Sequence, residues 1–237
     1  MAFAPRFLVF DLDGTLINSS LDLCNSVNAT LEHLGKQPLP NSLIATYIGD
    51  GAAMLVRRAL GDPGDLDGKD HDETQLRLAL DFFIRYYRQH KLDNTVLYDG
   101  VLTSLQAIRE RNPNLPMAVL TNKPVRPSRE ICQALALEPF FFQNYGGDSF
   151  TTKKPDPLGL QTLIAEADVL LHADGAQPLR PDEVVMIGDS DVDVTTARRI
   201  GARSLGCAFG LAPHALAAAQ PDMVVDHASE WPAMLGL

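Results

Sequence analysis

The chain has 237 residues, 46% of them hydrophobic and 21% charged. That is enough for one large domain or a core with a smaller insert, and too apolar for a disordered tail. Asp and Glu outnumber Lys and Arg by 30 to 20, a net charge of -10 that disfavours nucleic acid and anionic membranes as partners.

In chain order, Phe7–Phe10 is a short apolar run bounded by charge, the pattern of a buried strand. Similar runs recur at Met117–Leu120, Val184–Ile187, Ser204–Ala208 and Met223–Val225. Helical spacing of apolar residues marks Leu102–Arg109, Ser128–Leu135, Leu158–Leu171 and Val192–Ile200 between them. Strands alternating with helices predict an α/β fold, a Rossmann-like doubly wound parallel sheet that presents ligands at its carboxyl ends. Residues from about 20 to 92 break the alternation. Leu21, Leu23, Val27, Leu31 and Leu34 keep helical spacing until Gly35, and Ala53–Leu60 and Leu76–Tyr87 are further helices, with a polar loop at Gly61–Asp72. The expected organisation is a core of residues 1–16 and 93–237 and a helical insert of residues 17–92. Another long connection is expected around His172–Asp182.

No apolar run approaches the ~20 residues needed to cross a membrane. The N-terminus lacks a signal-peptide pattern, so a cytoplasmic protein is expected. Cys24, Cys132 and Cys207 stand too far apart for a zinc clamp or redox pair and read as reduced thiols. The six histidines show no ligand spacing.

Four strand ends carry chemistry. The first is Asp11-Leu12-Asp13-Gly14-Thr15. Two acids so close are costly without a cation, and a hard ion such as Mg2+ suits them. The second, Thr121-Asn122-Lys123-Pro124, places a hydroxyl and an amide before a helix start, where an anion's oxygens bind; Lys123 reads as a surface residue. The third, Lys153-Lys154-Pro155-Asp156-Pro157, offers an ammonium for a phosphate or for the acids. The fourth is Gly188-Asp189-Ser190-Asp191-Val192-Asp193, in which Asp191 is expected to face solvent.

FDLDGT, TNKP, KKPDP and GDSDVD, in this order, resemble the four motifs of the haloacid dehalogenase superfamily of phosphohydrolases along nearly the whole chain. The helical insert resembles that superfamily's small helical cap. DLDGTLINS, YIGDGAAMLVRRAL, LTNKP, GGDS before KKPDP, and IGDSDVDV resemble its bacterial phosphoglycolate phosphatase branch. The resemblance implies Asp11 as nucleophile and Asp13 as general acid and then base. It implies Mg2+ held by Asp11, the Asp13 carbonyl and Asp189, and phosphate bound by Thr121, Asn122 and the backbone near Gly14. Lys154, chosen over Lys153 because it precedes Pro155, would pair with Asp11 and the phosphate, and Asp193 would support the site by orienting Lys154 or a metal-bound water. In the cap, Gly49, Asp50 and Gly51 would form a substrate loop near Arg58, closing toward Asp11, with Arg85 a weaker contact.

The partner implied is a small phosphorylated metabolite, 2-phosphoglycolate first, with the enzyme a monomer or homodimer. Other small esters, pyrophosphate, a sugar-phosphate mutase and a non-catalytic phosphate- or metal-binding regulator are the alternatives. Two departures bear on substrate. Asp50 stands where the branch usually has Asn, and Phe209–His214 lacks its usual Tyr and Asn.

Overall fold

The computed structural model describes residues 4–61, 73–172 and 177–237. Most of the polar loop expected at Gly61–Asp72, and residues 173–176 of the expected long connection, lie outside the described residues. Strand β1 (Phe7–Phe10) is followed by a short strand β2 (Ile17–Asn18). Helices α1 (Ser20–His33), α2 (Asn41–Ala45), α3 (Ala52–Ala59) and α4 (Glu73–His90) come next, and β3 (Val96–Leu97) pairs with β2. The chain then alternates through α5 (Val101–Arg111), β4 (Met117–Leu120), α6 (Val125–Ala134), β5 (Gln143–Tyr145) and α7 (Leu158–His172). It ends with β6 (Val184–Gly188), α8 (Asp191–Arg198), β7 (Arg203–Cys207), α9 (Pro213–Ala219), β8 (Met223–Val225) and α10 (Trp231–Leu235). Among the described residues no helix is long and apolar enough to cross a membrane.

The chain divides into two units: residues up to Asn18 together with Leu97–Leu237, and Ser19–Val96. In the first, the described strands form a six-stranded sheet of order β5-β4-β1-β6-β7-β8, with every pairing parallel. Alternate residues of β1 feed two cores, because successive side chains of a strand point to opposite faces. Leu8 and Phe10 pack with Leu105 and Ile108 of α5, Ile131 of α6 and Trp231 of α10. Phe7 and Val9 pack with Leu160 and Leu163 of α7 and Ala197 of α8. Burial on both faces is why these strands read as unbroken apolar runs. From β1 the chain steps to β4 and β5 on one side; from β6 it steps to β7 and β8 on the other. The outgoing connections therefore diverge between β1 and β6, the point at which such sheets bind ligands.

The second unit is helical among its described residues, apart from Val96. Leu23, Cys24, Val27 and Leu31 of α1 pack with Leu55 and Val56 of α3 and Ala79, Phe83 and Tyr87 of α4. Its two chain ends are tied together by buried Asp22. That carboxylate accepts hydrogen bonds from Asn94 N at 3.0 Å, Asn94 Nδ2 at 2.8 Å, Thr95 N at 2.8 Å and Thr95 Oγ1 at 2.7 Å. Four donors satisfy a charge that would otherwise be expensive to bury.

Candidate active site

Asp11 follows β1 directly, and its N–H still donates to Ile187 O of β6 at 2.8 Å. The strand is thus held in register up to the carboxylate, which is buried. Beyond it the chain turns: Leu16 and Ile17 N–H both close on Leu12 O at 3.0 Å. Gly14 N–H donates to Ile17 O at 2.9 Å, so that donor is committed within the turn; of the backbone near Gly14 expected at the phosphate, this N–H is not available.

Lys154 reaches in from the loop before α7. Its Nζ lies 2.9 Å from Asp11 Oδ1 and 2.6 Å from Asp193 Oδ1. Lys153 is exposed, so the structure separates the two lysines as the proline argument expects. The loop is fixed from β4, where Asn122 Nδ2 donates to Lys154 O at 3.0 Å. Asp193 is oriented by its own helix start, its Oδ2 accepting from Ser190 N at 3.2 Å and Ser190 Oγ at 2.7 Å. Asp191 is exposed, as expected.

Asp189 follows β6 and is clamped between glycines. A Cβ on Gly14 would lie 2.0 Å from Asp189 Oδ2, and one on Gly210 would lie 2.2 Å from Asp189 Cβ. Leu211 N–H donates to Asp189 Oδ2 at 2.6 Å and fixes its rotation. In the sequence the Phe209–His214 loop stands out only for its missing Tyr and Asn. Its Gly210 and the following N–H are what hold Asp189, and a glycine just past a strand end was the available signal.

Burial raises Asp11 to about 6, only partly opposed by Lys154. Burial, then Asp193 and Asp11, push Asp189 well above the usual carboxylate range. Lys154 is raised by Asp11 and Asp193 against the opposing pull of burial. One oxygen each of Asp11, Asp189 and Asp193 lie within 4.8 Å of one another. Asp11 Oδ1 is buried, and Lys154 approaches it without the alignment of a hydrogen bond. Clustered all-oxygen donors, two of them pushed toward protonation by burial and by one another, fit a hard divalent cation such as Mg2+. Asp11 and Asp189 of the expected metal set share this cluster. Asp193, expected as support, belongs to it as well as pairing with Lys154.

Thr121 and Asn122 are buried at the end of β4. Lys123 corrects the expectation of a surface position. It is 5% exposed, and its Nζ donates to both Asp13 oxygens at 2.9 Å. The cause is topological: β1 and β4 are parallel neighbours, so residues just past their ends lie side by side.

In the helical unit, Gly49, Asp50 and Gly51 precede α3 and Arg58 lies in its last turn. Arg58 Nη2 meets Asp50 Oδ2 at 2.6 Å, and Arg58 Nη1 donates to Tyr47 O at 3.3 Å. Arg85 is exposed on α4.

A buried carboxylate beside a lysine and two further carboxylates, at the switch point of a doubly wound sheet, suits the chemistry of phosphate-ester hydrolysis. The sequence profile of the haloacid dehalogenase-like hydrolases matches residues 8–207, and the chain belongs to that family. It is a phosphoric monoester hydrolase. The chain is 36% identical over 207 residues to a phosphoglycolate phosphatase of Chromobacterium violaceum, covering 87% of this chain and 86% of that one. It is 35% identical over 224 residues to one of Pseudomonas putida, covering 94% and 76%. Its fold is similar to the crystal structure of a predicted phosphoglycolate phosphatase from Haemophilus somnus 129pt, with a TM-score of 0.84, 28% identity and 97% of each chain covered.

Proposed function

We propose that the chain hydrolyses 2-phosphoglycolate to glycolate and phosphate, with Mg2+, through an aspartyl-phosphate on Asp11. The observation that carries this reading is buried Asp11, with Lys154 at 2.9 Å and the carboxylates of Asp189 and Asp193 clustered with its own. Asp11 attacks phosphorus as the ester P–O bond breaks, and Asp13 gives its proton to the departing oxygen. Asp13 then takes a proton from the water that attacks the aspartyl-phosphate, which frees phosphate and restores Asp11. Lys154 keeps Asp11 aimed and offsets phosphoryl charge; Thr121 and Asn122 hold phosphoryl oxygens. Asp11, the Asp13 carbonyl and Asp189 would hold Mg2+, which when bound would supply the positive charge that lets a carboxylate approach a phosphate.

We assign substrate choice to the Ser19–Val96 unit, read as a cap, through Gly49, Asp50, Gly51 and Arg58. The same proposal places the enzyme in the cytoplasm. Its support there is the set of three buried, free thiols. The Asp50–Arg58 pair favours a second reading. An arginine already matched by a carboxylate is a weaker receptor for the carboxylate of 2-phosphoglycolate, which points to another small ester or to pyrophosphate.

Phosphate release from 2-phosphoglycolate, a panel of small esters and pyrophosphate tests both, with Mg2+ and with a chelator. A strong Mg2+-dependent preference for 2-phosphoglycolate supports the first reading. Preference for another ester keeps the chemistry and moves the substrate. Release that persists under chelation contradicts the Mg2+ assignment.

A further inference from the structure

Lys123 is a buried cation of the site for which the reaction above has no task. Its ammonium sits 2.9 Å from each oxygen of Asp13, with side-chain exposures of 3% and 13% for the two residues. Contact with both oxygens restrains the swing of the carboxylate as well as its position. The lysine is itself braced from outside the pair. Its N–H donates to Thr121 Oγ1 at 3.2 Å, and its carbonyl accepts from Gly147 N–H at 2.9 Å. A Cβ on Gly146 would come within 2.6 Å of Lys123 O, and one on Gly147 within 2.4 Å of Asn122 O. Only glycines let the end of β5 approach this turn so closely. Asp148 then caps the start of α6, its Oδ1 accepting from Val125 N at 2.7 Å. The Gly-Gly-Asp stretch after β5 thus supports the lysine from below.

We infer that Lys123 is a positioning residue that aims the Asp13 carboxyl for proton transfer to the leaving oxygen. The inference rests on the phosphatase reading of Asp11 and Asp13. While Asp13 carries its proton on one oxygen, the ammonium keeps hold of the other. The proton moves from Asp13 to the ester oxygen as the P–O bond breaks, and the carboxylate left behind returns to its two-oxygen contact with Lys123. It is then oriented to take a proton from the attacking water. Such help matters most when the leaving group is a poor one. An alkoxide needs its proton as it departs; p-nitrophenolate leaves without it.

The test is single-turnover release of the leaving group by Lys123→Met, with Mg2+ present. It compares p-nitrophenyl phosphate with the alkyl ester that the unaltered protein hydrolyses fastest. General acid catalysis contributes about 10²–10⁴-fold, so misaiming the acid is expected to slow the alkyl ester by about tenfold or more. The loss on p-nitrophenyl phosphate is expected to be several-fold smaller, and Lys123→Arg, which keeps the cation, to recover part of the alkyl-ester rate. Circular dichroism establishes that the variants are folded. If the Met variant does not fold, Lys123→Gln is read in the same way. Equal losses on both esters, or no loss on the alkyl ester, overturn the inference while the phosphatase reading stands. An unaltered protein that releases phosphate from neither ester overturns that reading, and the inference with it.

Discussion

In the α/β unit, Lys154 and Asp193 meet at 2.6 Å with side chains each 2% exposed; in the helical unit, Arg58 and Asp50 meet at the same distance with side chains 28% and 35% exposed. Equal distances here mean different physics. The first pair is sealed in the protein, where removing one partner strands a charge away from water. The second is screened by solvent and exchanges partners at little cost. Groups that must hold one geometry throughout a reaction belong in the first setting. A group that must release one carboxylate to accept another belongs in the second. The glycines around Asp189 and Lys123 extend the contrast, since the strand ends interlock there, backbone against side chain at Asp189 and backbone against backbone at Lys123.

Removing the sealed cation breaks this comparison most severely. Lys154→Met leaves Asp11 and Asp193 buried together without it. Breaking a buried pair costs about 3–5 kcal/mol, so a large fall in the urea midpoint is expected, together with loss of turnover. A variant as stable as the parent would show that the pair is not sealed.

The solvated pair predicts a smaller effect of opposite sign. Asp50→Asn frees Arg58, and exposed pairs are worth about 0.2–1 kcal/mol, so KM for 2-phosphoglycolate should fall by roughly up to fivefold while kcat moves less. A rise in KM would contradict the assignment of Arg58 to the substrate carboxylate.

The smallest effect sharpens the contrast within the α/β unit. Burial pushes the Cys132 thiol up to about 12 and the Cys207 thiol well above its ordinary value. The thiolate is the form that reacts, so alkylation at pH 8 should label neither in the folded protein and both in denaturant. Rapid labelling without denaturant would show that this core opens.

The parts legible in the sequence were those whose side chains meet the same fate along a whole element. β1, β4 and β6 are buried on both faces, and an unbroken apolar run reports that directly. β5 escaped because it is an edge strand of Gln143, Asn144 and Tyr145, half-buried and polar. α9 escaped because Pro213–Ala219 carries a single buried Leu216, too little for a period to show. At the site, the acids were legible as costly neighbours in the chain. The placement of Lys123 was not, because it depends on β1 and β4 lying side by side, 110 residues apart in the chain at the Lys123–Asp13 contact. Gly210 and Gly146–Gly147 were visible as residues, but their roles are clearances, which exist only once two segments meet.

The central claim is that Asp11 becomes phosphorylated, and its most direct test is an acid quench during turnover of the best substrate with Mg2+, followed by peptide mass spectrometry. The account predicts a phosphoryl adduct on the peptide bearing Asp11, and neither adduct nor turnover in a folded Asp11→Asn variant. Steady turnover by Asp11→Asn, or an adduct on another residue, would contradict it.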